Sequence, residues 1–473
     1  MLNAAEASSG MRRLLTGRAS PAVPLKSMRA CLLQTQPVWR SSAGAAASTA
    51  PPPKPQRPVP HLGGTPSIIL PASLSVSRDD EISRRRSLCS SRELVQISEE
   101  RLQEFLQAEV VYFASLEPKS VTLSQILDAK TPERAASLAY AELPIRFAQR
   151  IQQIEGLPGW EASPELVAVH RLYSDNFRDL RLIELDLVEL APFTVVIERI
   201  KGRMREVVHR LAVAMRALQR MKGIPEASIV QWLDTFFLSR IGTEMLTSQY
   251  LACVSTAGGG APKIKRRGKV GVVDYNCDPA RICEQAARHA RKLCKEHFPS
   301  EDAADLEISV EHSLASSVEL ESQIRFPYVP NYLFYIMVEL LKNSARATVE
   351  ACQEEPHRKR SILITVGADD GQVAIRVEDQ AGGIPFMAAD RVWSYMYSTA
   401  TQGGSFSQKG TPLAGYGVGL PLSRLYARYL GGSLHLQSMP GVGTCAYLYL
   451  KRLESEAREE LPISSSVSGI PLI

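Results

Sequence analysis

Glu339, Asn343 and Arg346 recur at steps of four and three residues in the run Glu-Leu-Leu-Lys-Asn-Ser-Ala-Arg-Ala, 339–347. That spacing places them on one face of a helix. An asparagine amide oxygen is a hard, neutral donor suited to Mg²⁺, which takes few protein oxygens and completes its shell with phosphates and water. A carboxylate one turn earlier can take a proton from a hydroxyl or water attacking a γ-phosphate. Lys342 and Arg346 can offset phosphate charge. The same pattern on its own is also that of a solvated charged helix face.

Two further islands follow. Asp379 ends an apolar, alternating run and precedes Gly382-Gly383. A buried carboxylate there can accept an adenine amine, while glycine lets the backbone approach the base. Gly415, Gly417 and Gly419 alternate ahead of a helix whose second residue is Pro421. Free amides and the dipole at a helix start favour phosphate. Each island is weak alone, and in this order the three describe one Mg²⁺-ATP pocket.

Competing templates fail on particular residues. A dinucleotide fold needs a strand directly before the glycines, and here a Gly/Ser-rich loop, 399–414, precedes them. No GxxxxGK[ST] is present. Val373-Ala374-Ile375-Arg376 lacks the lysine of a VAIK strand, and no HRD or DFG follows. His170 and His209 are each followed by arginine rather than by an acid, so neither fits a phospho-accepting histidine.

The elements that must position these residues fall into two patterns. From about residue 94 to 255, apolar residues recur at three- and four-residue spacing. Helices are expected near 95–115, 133–154, 164–190, 193–222 and 226–255, with Pro144 starting or kinking one at Glu142-Leu143. These form an antiparallel helical bundle. A Gly/Lys-rich linker, 256–269, leads into a mixed region, 270–455. There, helices at 281–297, 330–350 and 420–430 alternate with strands at 306–310, 361–366, 372–378, 433–437 and 444–451. The class is α+β: a helical bundle followed by an α/β sandwich.

Composition limits the alternatives. The 473 residues are 45% apolar, with 55 Lys and Arg against 50 Asp and Glu, a formal charge of +5. That small excess does not indicate a nucleic-acid binder, and no apolar run has the length of a membrane span. Eight cysteines without a CxxC pair argue against zinc or a disulfide scaffold. Residues 1–78 hold nine Lys and Arg but one acid, Glu6, the composition of an organellar transit peptide. Residues 1–93 are assigned to this leader and a Pro-rich, unstructured stretch, and 456–473 to a tail.

The three islands resemble the N, G1 and G2 boxes of the gyrase–chaperone–histidine-kinase (GHKL) ATP fold. FFLSRIGTEML at 236–246, VELLKNSARATVE at 338–350, SYMYSTA at 394–400 and TPLAGYGVGLPLSRLYARYLGG at 411–432 further resemble the mitochondrial kinases of the pyruvate and branched-chain α-ketoacid dehydrogenase complexes. The resemblance implies a serine kinase that inactivates the dehydrogenase E1α subunit, uses ATP and Mg²⁺, docks on the E2 lipoyl domain, forms a homodimer and resides in the mitochondrial matrix. It implies that Glu339 is the general base, that Asn343 holds Mg²⁺, and that Asp379 contacts adenine with Thr399 and Thr444 beside it. Gly415, Gly417 and Gly419 close over the phosphates. Lys342, Arg346, Ala347, Gly383, Ser398, Tyr416, Val418 and Leu420 complete the expected nucleotide-binding set.

Departures from the family pattern bear on the substrate. Ala381 replaces the first glycine of DxGGG. Tyr335 stands where pyruvate-directed members carry histidine and branched-chain members tyrosine, and Tyr250 stands where a histidine is usual. The tail after Pro462 lacks the Asp-Trp element that cross-links dimers of the pyruvate type. SYMYSTA and TPLAG favour the pyruvate enzyme as client, and Tyr335 and the tail favour the branched-chain one. The pyruvate enzyme is the expected client. A non-catalytic ATP-binding scaffold is the rival from another class, against which the joint presence of Glu339 and Asn343 argues.

Overall fold

The structure, a computed structural model, describes residues 98–222, 225–257, 269–298, 306–314, 324–355, 360–395, 397, 417–452 and 459–461. The expected leader, most of the linker, nearly all of the tail, and Ser398, Thr399, Gly415 and Tyr416 lie outside them. Glu100–Ile473 constitutes one compact unit.

The first half is helical: α1 (Glu99–Ala114), α2 (Leu123–Asp128), α3 (Pro132–Glu155), α4 (Pro164–Leu182), α5 (Ala191–Arg203), α6 (Val207–Lys222) and α7 (Glu226–Ala257). Local chemistry sets several starts. Thr131 and Ser163 each accept a hydrogen bond from an amide three residues on, with proline in the first turn. The long α7 packs against α3 and α5, burying Ile229, Trp232, Leu233, Phe236, Phe237, Ile241 and Met245.

Three expectations change here. α3 matches the helix expected at 133–154, and of the two readings of Pro144 the start is excluded: the helix runs through it, since fifteen buried positions along that helix outweigh one lost N–H bond. The expected helix 193–222 is two, separated at residues 204–206, and the one starting at 164 stops at Leu182. The short α2 was not anticipated. Its signal was present in the capping box formed by Thr122 and Gln125.

The second half continues with β1 (Lys269–Val270), β2 (Val273–Cys277), α8 (Pro279–His297), β3 (Glu307–Leu314), β4 (Phe326–Tyr328), α9 (Pro330–Glu354), β5 (Ser361–Ala368), β6 (Gln372–Asp379), α10 (Gly419–Tyr429), β7 (Ser433–Met439) and β8 (Gly443–Lys451). Among the described residues, one five-stranded sheet has the order β3-β5-β6-β8-β7. β3 and β5 run parallel and the other neighbours antiparallel. Ile362, Ile364, Val366, Val373, Ile375, Val377, Leu448 and Leu450 are buried on it, and α8, α9 and α10 pack against its strands. The α+β class stands. A three-stranded sheet, β1-β2-β4, was not anticipated, because strands of two, five and three residues carry too little alternation.

Polar ties cross between the bundle and the sheet region. Tyr395 donates to Asp234 on α7, and Arg424 on α10 approaches the same carboxylate at 3.4 Å. Tyr332 on α9 donates to the Ile241 carbonyl at 3.3 Å. Glu459 accepts from Arg146 on α3, Tyr429 on α10 and the Val121 amide. Among the described residues no helix is long and apolar enough to cross a membrane.

Candidate active site

A cavity of about 410 Å³ opens between α9, the end of β6, the start of α10 and strands β7 and β8. α9 supplies Glu339, Asn343, Arg346 and Ala347 to its wall. The helix can do so because its opposite side buries Leu333, Ile336, Met337 and Leu341 in the core. Asn343 is exposed, leaving its amide open to the cavity. Arg346 pairs with Glu350 at 3.2 Å.

Asp379 ends β6 directly opposite Thr444 on β8, and both line the cavity. The Asp379 carboxylate accepts from Ser344 Oγ at 2.8 Å, from the Ala381 amide at 3.2 Å and from the Thr444 amide at 3.3 Å. Burial raises its pKa above the ordinary aspartate value, and these three bonds oppose the shift. Ser344 and Ser438 were not singled out in the sequence. Ser438 accepts from the Ile384 amide at 2.7 Å and meets Thr444 Oγ1 at 2.9 Å, tying the loop after Asp379 to the β7–β8 turn. A serine beside Asn343 on the same helix was the signal for the first. The second becomes visible only through strand register.

Glycines at the site are forced by close approach. Gly383 has φ of +73°, and a Cβ there would lie 2.3 Å from the Met439 carbonyl oxygen. Gly417, at φ of +76°, would bring a Cβ within 2.7 Å of the Tyr397 carbonyl oxygen. Gly419 begins α10 with the Glu339 carboxylate directly against it: a Cβ would sit 2.2 Å from Oε2. The Glu339 carboxylate, the exposed Asn343 amide and a helix N-terminus thus share one wall.

Of the residues singled out in the sequence, Glu339, Asn343, Arg346, Ala347, Asp379, Gly383, Gly417, Gly419, Leu420 and Thr444 meet at this cavity, as does Ala381. Lys342 does not line it. It is buried, with Nζ 3.0 Å from Glu339 Oε1. Val418 is buried as the residue capping α10 and is likewise not part of the lining. Tyr335 contacts Tyr426, ring centroids 4.8 Å apart. Tyr250 bonds Thr194 at 2.6 Å within the bundle. His170 meets Glu155 at 2.9 Å and stacks on Trp160, a structural placement.

Comparison with known proteins bears on both halves. The sequence model for mitochondrial branched-chain alpha-ketoacid dehydrogenase kinase matches residues 120–274. That for histidine kinase-, DNA gyrase B-, and HSP90-like ATPases matches 328–454, the region of the cavity. A mitochondrial [pyruvate dehydrogenase (acetyl-transferring)] kinase of Ascaris suum is 35% identical over 372 residues, covering 76% of this chain and 89% of that protein. The chain belongs to the mitochondrial α-ketoacid dehydrogenase kinase family. Human pyruvate dehydrogenase kinase isozymes 4 and 3 are 30% and 32% identical, over 75% and 74% of the chain and 86% and 87% of those proteins. This kinase therefore pairs a helical half with an ATPase-type nucleotide domain, and its family uses ATP to phosphorylate protein.

Proposed function

We propose that this kinase phosphorylates a serine of the E1α subunit of a mitochondrial α-ketoacid dehydrogenase complex, that of pyruvate dehydrogenase in the first instance, and thereby inactivates it. The observation that carries the reading is Glu339 facing the cavity one turn before the exposed Asn343, with the start of α10 against its carboxylate. In this reading Glu339 accepts the serine hydroxyl proton as the serine oxygen bonds to the γ-phosphorus, and the bond from that phosphorus to ADP breaks. Asp379 receives the adenine amine, with Thr444 and the Gly383 backbone beside it. The amides at Gly417–Leu420 face the phosphates. One neutral amide donor fits Mg²⁺, which would supply charge neutralisation at the phosphates while Asn343 holds it.

Tyr335 supports a second client, the branched-chain E1α. It lies one turn before Glu339, and burial with the nearby Glu339 charge keeps its phenol well above its usual pKa, hence neutral. The acid-poor residues 1–78 and the mitochondrial relatives support import into the matrix. Membership of the family supports docking on an E2 lipoyl domain through the helical region, 94–255, and a homodimer.

The deciding experiment offers both purified E1α proteins to wild type and Glu339→Gln side by side. Glu339→Gln is expected to phosphorylate about a hundredfold to ten-thousandfold more slowly at unchanged ATP affinity. Equal rates would remove Glu339 as base, and phosphate transfer to neither E1α would leave the scaffold reading.

A further inference from the structure

Lys342 sits where a phosphate-binding lysine was expected, yet it faces the other way. Its side chain is 3% exposed, and it takes no part in the lining of the nucleotide cavity, whereas Arg346, one turn further along α9, does. Its ammonium lies 3.0 Å from Glu339 Oε1 and 3.2 Å from Oε2. An ammonium has three donors, and this one directs bonds at both oxygens of a single carboxylate.

We propose that Lys342 is a positioning residue for Glu339, fixing and charge-compensating the carboxylate that receives the serine proton, and not a ligand of the nucleotide phosphates. The proposal rests on the reading of Glu339 as the base. An i,i+3 ion pair on a wet helix surface holds its partners weakly. Here both side chains are withdrawn from water, at 3% and 13% exposure, where an unpaired charge is costly. On a second side the carboxylate is confined by Gly419, since Oε2 occupies the space where a Cβ of that residue would stand. Ammonium on one side and helix start on the other restrict the rotation of the carboxylate and leave its remaining lone pairs for the cavity. When ATP brings negative charge to the same wall, Lys342 offsets the repulsion that Glu339 would otherwise feel. A phosphate ligand would have to abandon Glu339 and leave its buried position first.

The test uses the full chain as wild type, Lys342→Met, Lys342→Arg, Glu339→Gln and the Glu339→Gln/Lys342→Met double variant. Nucleotide Kd is read by calorimetry and kcat from phosphate transfer to E1α at saturating ATP. Lys342→Met is expected to lower kcat about a hundredfold while Kd stays within about threefold. Lys342→Arg should recover at least about tenfold of that loss, because it restores a cation beside the carboxylate. In the Glu339→Gln background Lys342→Met should cost nothing more, since groups acting as a unit are non-additive. A Kd raised about tenfold or more with kcat retained would make Lys342 a phosphate ligand and overturn the proposal. So would an equal loss in both backgrounds. If Lys342→Met does not fold, Lys342→Arg decides alone: a lowered kcat at unchanged Kd supports positioning, and a raised Kd at unchanged kcat overturns it. A Glu339→Gln protein as active as wild type instead removes the base reading on which the proposal stands.

Discussion

At the scale of the residue, Asp379 answers two demands with one carboxylate. Its Oδ1 accepts from two backbone amides and its Oδ2 from Ser344. In Asp379→Asn the amide oxygen must stay at the two N–H groups, so the amide nitrogen takes the place of Oδ2 and, in the proposed adenine contact, presents a donor to the adenine amine. Nucleotide affinity is expected to fall about tenfold or more, read by calorimetry. Stability should move the other way. Burial raises the folded-state pKa of Asp379 above its usual value, so the ionised form disfavours the fold. That penalty is absent below the ordinary aspartate range, grows as pH rises toward the raised value and is complete above it. The melting temperature of wild type relative to Asp379→Asn should therefore decline from acid to neutral pH. Parallel curves would show that the carboxylate carries no such penalty. Asp379, Glu339 and Asn343 were readable as candidates because their types and spacing are chemical. The direction of the Lys342 side chain was not, since three-residue spacing allows it to face either neighbour.

At the scale of the element, the start of α10 does the most specific work. Gly417 and Gly419 were expected to share one role over the phosphates, but their contacts differ. Gly417→Ala forces an L residue to φ of +76° and a Cβ toward the Tyr397 carbonyl, a cost of about 1–2 kcal/mol in backbone strain. It is expected to weaken nucleotide binding by disturbing the close approach of Gly417 to the Tyr395 and Tyr397 carbonyls. Gly419→Ala instead displaces the Glu339 carboxylate. Its kcat should fall on the order of a hundredfold, as misplacement by about 1 Å can do, with little change in nucleotide Kd. Measuring both constants for both variants checks the division; identical profiles would refute it. Apolar spacing put helix starts near 133, 164 and 281, within two residues of the starts that a cap and a proline set at Thr131-Pro132, Ser163-Pro164 and Asp278-Pro279. The break at 204–206 was not legible, because both flanking helices keep the same apolar spacing across it.

At the scale of the whole molecule, Glu459 links residues far apart in sequence. Its carboxylate, 1% exposed, accepts from Arg146 of α3, Tyr429 of α10 and the Val121 amide. Glu459→Gln removes the nearer of the two carboxylates beside the buried Arg146 guanidinium and leaves Glu142 at 3.9 Å, so the loss is expected to stay below the roughly 3–5 kcal/mol of a fully broken buried pair. Calorimetry should show a lower melting temperature with bundle and nucleotide domain still unfolding together, and an unchanged transition would remove the pair from the stability of the chain. Nothing in the local sequence around Glu459 announces this role, because its partners come from three distant segments. The sequence by itself determined the α+β class, the helical first half and the three islands of the nucleotide pocket, since periodicity, caps and glycine spacing act within a turn or a strand. Only the tertiary structure decided that Lys342 turns to Glu339, that Ser344 and Thr444 both serve Asp379, and that Glu459 joins α3 to α10. For Asp379 and Glu459, strand register and helix packing bring together groups that no local spacing relates; for Lys342, packing selects which of its neighbours along the helix the side chain meets.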